Sequence, residues 1–275
     1  MTPREFAELA KLPPTEAIAY MQRRKLLTVS YDWFAVWNDE HARQFTVSRL
    51  ARLDLLQKVH DSITESVSGD LSRHDWMKDI KKVLTDAGWW GEKTLIDPDT
   101  GEAVTTRFNP SRLKLIYDTN TRSAYSAGMW ERSQRTKRTH PYFRYVTQRD
   151  ERVRHAHALL DNVTLPVDDP FWDTHCPPNG YRCRCRLVPV SRLDYDRGKA
   201  PTGAPLVKQA PPVVMRDWLD RKTGEIRQVP VGVDPGFGHN PGKASADLDR
   251  MIADKIAGAS PGLAAAAAAD GFKES

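Results

Sequence analysis

Cysteine is scarce in this chain. Three residues in 275, Cys176, Cys183 and Cys185, all fall within one short stretch. An odd count argues against a disulfide framework. The opening Met1-Thr2-Pro3-Arg4-Glu5 also lacks the apolar core of a secretory signal, so the expectation is a protein made and used in a cytoplasm. Long apolar runs are lacking too. No stretch approaches the roughly 18 apolar residues that span a bilayer, and no membrane partner is expected. Neither charge dominates: 41 basic residues against 36 acidic ones leave a net of +5 and a pI near 9.1, well short of a dedicated nucleic-acid-binding chain. No internal repeat is visible. What is present is 40% hydrophobic and 9% aromatic residues, enough for a core. A mean hydropathy of -0.59 predicts sizeable exposed or irregular stretches beside it.

The first half reads as helices with clear punctuation. Thr2, Pro3 and Glu5 resemble a capped start to a short helix carrying Phe6 and Leu9, which Pro13-Pro14 ends. A second helix carries Ile18 and Met21, with Arg23, Arg24 and Lys25 at its end, where the helix dipole favours cations. Tyr31, Trp33, Phe34 and Trp37 form an aromatic segment that docks on a core. A longer helix is predicted over 48–67, because Leu56, Val59, Ile63 and Val67 recur at spacings of three and four. Gly69 ends it. Ser72 caps the next, whose apolar face is Trp76, Ile80, Val83 and Leu84 and which Gly88 closes. Asp97 to Gly101 has turn chemistry. Asn109-Pro110 opens a helix that buries Leu113, Ile116, Tyr117, Asn120 and Ala124 and runs to about Arg132.

The character changes near residue 140. Tyr142 to Thr147 is aromatic and β-branched and reads as a strand. Arg182 to Leu187 alternates strictly; read as a strand, it puts Cys183, Cys185 and Leu187 on one face and the arginines on the other. Val213 to Trp218 and Ile226 to Val231 flank a hairpin turn. The prediction is an α+β protein: a mostly helical region over 1–135, a small domain of antiparallel strands over 136–231, and an irregular Gly/Pro/Ala-rich tail, extended or disordered, over 232–275. Within that tail, Ala264 to Ala269 can extend a short helix.

Four kinds of chemistry are open to these residues. His155 or His157 with His175, Cys176, Cys183 and Cys185 offers nitrogen and sulfur ligands for a tetrahedral zinc. The spacing Cys-x-Cys is not that of a zinc knuckle, however, and the simpler reading makes Cys183 and Cys185 small buried hydrophobes with His157 bonded to Asp161 or Asp168. No cofactor is expected on that reading. A cysteine nucleophile would pair Cys183 with His157, but an inward-pointing thiol is poorly placed to attack a substrate. A metal-dependent nuclease would use Asp168, Asp169 and Asp173 with His157 or His175, although Asp168-Asp169-Pro170 reads more simply as a turn. No catalytic residue is therefore assigned. Residues 131–154 carry eight basic residues against three acidic ones. Arg132, Arg135, Lys137 and Arg138, with an arginine stripe of Arg182, Arg184 and Arg186, would suit phosphates or an acidic protein surface.

The stretch from Tyr142 to Val190 resembles the core of the phage Mu F-like minor head protein family. The matching elements are Arg154-x-x-His157, then Asp168-Asp169-Pro170-x-Trp172, then Pro177-Pro178-x-Gly180, then Cys183-Arg184-Cys185. Outside it, Glu16 to Tyr20, Glu40 to Val47, Ile116 to Asn120, Ala124 to Gly128, and Val233 to Phe237 with Asn240-Pro241-Gly242 are similar to the family's flanking regions. The resemblance implies a non-enzymatic virion component, present in few copies near the portal vertex and acting in head morphogenesis in the bacterial host. Its implied partners are portal and capsid proteins, and some relatives contact DNA non-specifically. It also implies structural roles for Arg154, His157, Asp169, Pro170, Trp172, Pro178, Gly180, Cys183 and Cys185.

Overall fold

Three buried clusters organise the described residues: one among helices, one against a small sheet, and a small one around Trp33. The computed structural model describes residues 14–220 and 222–269; the helix expected around Phe6 and Leu9 lies outside them. Helix α1 (Thr15–Arg23) buries Ala17, Tyr20 and Met21. A two-residue parallel pairing joins β1 (Leu26–Leu27) to β2 (Gln44–Phe45), and the aromatic segment between them forms short 3₁₀ turns. Helix α2 (Leu53–Ser68) starts five residues later than its periodicity suggests. The backbone turns at Arg49 (φ 61°) and is still extended at Arg52, so Val47 and Leu50 join the core from a loop. Gly69 ends α2 in the left-handed conformation at φ 95°. Ser72 caps helix α3 (Arg73–Asp86), accepting from Asp75 N, and Trp76, Ile80 and Leu84 are buried.

The region expected to be helical contains a β-hairpin, β3 (Gly91–Ile96) with β4 (Ala103–Phe108). Its strands are largely polar, so no alternation announced them. Trp89 and Phe108, at its base, anchor it to the helical core. The turn at Asp97 to Gly101 is present, with Gly101 N donating to Asp97 O. Helix α4 (Pro110–Thr136), capped by Asn109, runs one turn past Arg132. It is the spine of the molecule. Leu113, Ala124 and Ala127 belong to the helical core, while Met129 and Trp130 pack against the sheet core.

The sheet holds β5 (Tyr142–Val146) between β6 (Thr164–Pro166) and β7 (Arg186–Val190), all antiparallel. Two short helices, α5 (His155–Ala158) and α6 (Phe171–His175), lie between its strands in sequence. The strand predicted from Arg182 begins only at Arg186. Arg182 adopts φ 59° and Cys183 N bonds back to Gly180 O, so residues 180–185 form turns and their alternation sets no faces. After helix α7 (Arg192–Arg197), β8 (Met215–Leu219) and β9 (Ile226–Pro230) form the expected hairpin.

The α+β class holds. Beyond residue 231, however, the chain contains ordered structure where an irregular tail was expected. Val233 and Phe237 are buried beside Trp33, and helix α8 (Pro241–Ala257) packs along α4. Asn240 caps α8 through Gly242 N and Lys243 N. The small residues that suggested a linker are what permit this packing: a Cβ on Gly242 would sit 2.7 Å from Trp130 Cβ. Helix α9 (Pro261–Ala269) follows.

Candidate functional site

The strand-edge loops of the sheet domain bring three of the five proposed zinc ligands together. His157 projects from α5, and Cys183 and Cys185 come from the turn before β7. The His157 Nδ1, Cys183 Sγ and Cys185 Sγ atoms lie within 4.8 Å of one another. Nδ1 is 3.7 Å from each sulfur. On its other edge, His157 Nε2 lies 2.7 Å from the Gly232 carbonyl. A carbonyl only accepts, so Nε2 carries a proton. His157 is therefore not bonded to Asp161 or Asp168, as the sequence suggested. Asp161 accepts from Thr147 and Arg149, and Asp168 pairs with Lys137.

The proximity of the two sulfurs splits their acidities. The Cys185 thiol and the His157 imidazole pull Cys183 down against the cost of its burial. Cys185 is pushed up by the neighbouring sulfur and by burial. Burial alone would lower His157, but the Cys183 sulfur and the Gly232 carbonyl raise it. Cys183 is only 5% exposed, and Cys185 is half-buried, which corrects the reading of both as fully buried hydrophobes. The cluster faces a cleft of about 210 Å³ rimmed by Arg152, Arg154, Arg182 and Arg184.

His175 and Cys176 take no part. His175 stacks on Phe171, with ring centres 4.4 Å apart, and burial lowers it to about 4. Cys176 lies against Ser126 Oγ, and burial pushes its thiol up to about 12. His155 is exposed. The acids of the nuclease reading do not gather around a histidine among the described residues. Asp169 accepts from Phe171 N, and Asp173 pairs with Lys243 at 2.7 Å.

The basic stretch is dispersed by its partners. Arg132 and Arg135 both bind Glu16, Lys137 binds Asp168, and Arg184 makes a two-pronged pair with Asp150 at 2.6 Å. Arg182, Arg184 and Arg186 form no stripe, because they do not share a strand. Arg138, Arg182 and Arg186 are exposed without a carboxylate partner among the described residues.

The remaining motif residues brace the fold. Arg154 Nη2 donates to Tyr181 O (2.9 Å) and to Asp234 Oδ2 (3.1 Å), and Tyr181 N donates to that same oxygen. This knot passes so close to Gly180 that a Cβ there would lie 2.2 Å from Asp234 Oδ2. Trp172 is fully buried and donates to Pro166 O, Pro170 leads into α6, and the Pro177–Pro178 bond is cis. Sequence reasoning missed Asp234, Gly232 and Glu16 as partners of these groups. The only signal for Glu16 and Asp234 was their place in the segments resembling the family, and Gly232, next to one of them, carried none.

The family described as "Phage Mu protein F like protein" matches residues 57–188, which contain the cluster and most of the bracing residues. The "Putative capsid assembly protein F" of Escherichia phage Mu is 33% identical over 264 residues, covering 92% of this chain and 59% of its own length. The "Mu-like prophage FluMu F protein" of Haemophilus influenzae is 26% identical over 241 residues, covering 84% of this chain and 57% of its own length. These matches support the Mu F-like family as the one that this chain resembles. It spans somewhat under three fifths of the length of these relatives. No solved structure matches it significantly.

Proposed function

We propose that this chain is a structural protein of tailed-phage head assembly: a minor head component held near the portal vertex, with portal and capsid proteins as partners and no catalytic role. The observation that carries the reading is the 33% identity to the "Putative capsid assembly protein F" of Escherichia phage Mu, over an alignment that covers 92% of this chain. The use made of the motif residues supports it. Arg154, Asp169, Trp172 and Gly180 serve packing and bracing, and the acids that a nuclease would need are spent on separate contacts. Arg138, Arg182 and Arg186 are the cations left exposed for a non-specific DNA contact.

Quantitative mass spectrometry of purified procapsids and virions tests this reading, counting the chain against the major capsid and portal proteins. A few copies per particle, present before DNA packaging, is the expected result. Absence from both particles overturns it. Metal-dependent plasmid nicking that disappears in His157→Ala would replace it with a nuclease carried in the particle.

A further inference from the structure

We propose that His157, Cys183 and Cys185 form a transition-metal site that takes zinc(II) through one imidazole nitrogen and two thiolates, leaving a fourth coordination position open to the arginine-rimmed cleft.

Three observations support this site. The first is spacing. A tetrahedral zinc with Zn–S near 2.3 Å and Zn–N near 2.0 Å holds N and S about 3.5 Å apart and two sulfurs about 3.8 Å apart. The Nδ1 to sulfur distances are 3.7 Å, and all three donors fall within 4.8 Å. The nitrogen–sulfur spacings are thus within tenths of an ångström of that geometry, and closing the sulfurs by no more than about 1 Å seats an ion.

The second is orientation. The Gly232 carbonyl, 2.7 Å from Nε2, fixes the proton on that nitrogen and turns the Nδ1 lone pair toward the sulfurs. Metal-binding histidines are commonly oriented in this way by an acceptor on the far ring nitrogen.

The third is access. Cys185 is half-buried and the cluster opens on a cleft of about 210 Å³. Binding releases the Cys185 proton and the one shared by Cys183 and Nδ1, leaving zinc, two thiolates and neutral imidazole with no net charge. The ion would tie α5 to the turn before β7, and through Gly232 to the segment that leads to α8.

The test is metal analysis of the full-length protein, isolated without chelator in reducing buffer, with titration of the stripped protein by cobalt(II). The expected result is about one zinc per chain and, with cobalt, the visible bands of a tetrahedral thiolate-bound ion. Cys185→Ser and His157→Ala should each cut zinc retention more than tenfold, whereas Cys176→Ser should retain it in full. If a variant fails to fold, the cobalt titration of the unaltered chain decides. Wild-type protein that carries less than about a tenth of an equivalent of zinc and shows no thiolate bands with cobalt overturns the site. So does freshly isolated protein in which Cys183 and Cys185 are joined as a disulfide.

Discussion

His157 and the Gly232 carbonyl, 75 residues apart in the chain, are joined by a 2.7 Å hydrogen bond that pins the segment leading to α8 against α5. Replacing the ring leaves a carbonyl without its donor, at a cost of about 1–3 kcal/mol. His157→Phe keeps most of the volume and removes the donor. It should lower the urea midpoint and speed amide exchange at Val233 and Phe237, with little change at the core of α2. Unaltered exchange across 232–237 would show that the bond holds nothing in place.

Glu16 lies at the start of α1 under two guanidinium groups from α4. Burial alone would raise its carboxyl, but its own backbone N–H and the contacts from Arg132 and Arg135 outweigh that and hold it at about 2. A folded value below the unfolded 4.5 means that the unfolded chain takes up the proton first as pH falls. The contribution is thus complete above about pH 4.5 and is lost toward pH 2. Because both arginines are about half exposed, it is set at about 1–2 kcal/mol. Glu16→Gln should be less stable than the unaltered chain at neutral pH, with the gap closing in acid. Denaturation curves at a series of pH values measure this, and a gap that is constant with pH contradicts it.

Gly128 lies where α4 crosses α1. A Cβ there would be 2.9 Å from the backbone nitrogen of Ala17, an atom that cannot swing aside. Alanine would otherwise favour the helix by about 1 kcal/mol. Gly128→Ala should nevertheless destabilise the protein by about 1–3 kcal/mol, as overpacking does. Gly262→Ala, near the start of α9 with open space around it, serves as the control and should not destabilise. A Gly128→Ala variant as stable as the control would mean that the helices can separate at little cost.

Arginines engaged with carboxylates and arginines left free should behave differently. Replacing Arg138, Arg182 and Arg186 together by alanine should lower the salt needed to elute the protein from heparin while leaving its melting temperature nearly unchanged. Replacing Arg132 and Arg135 should do the reverse, lowering stability with a smaller effect on elution. Equal elution for both sets would remove the three exposed arginines as a polyanion contact.

Periodicity and caps were legible in the sequence. The stripes Val59-Ile63-Val67 and Trp76-Ile80-Leu84, the caps Ser72 and Asn109, the stop at Gly69 and the strand from Tyr142 all lie where local rules put them. These features depend on neighbours three or four residues away, and on which side chains fit a helix turn or a pleat. The polar hairpin at 91–108 was hidden because its strands bury little, and α8 because small residues read as linker until a partner helix comes close.

The cluster shows the division most clearly. Residue type and clustering brought His157, Cys183 and Cys185 forward as candidates, together with His175 and Cys176, and the motif order gave the family resemblance. Which three of the five meet, that Gly232 rather than a carboxylate orients the imidazole, and that Arg132 and Arg135 bind Glu16 were decided only in the folded chain. These contacts join segments 26 to 119 residues apart. Their partners are selected by the packing of α1, α4 and the sheet, a long-range condition that no local spacing encodes.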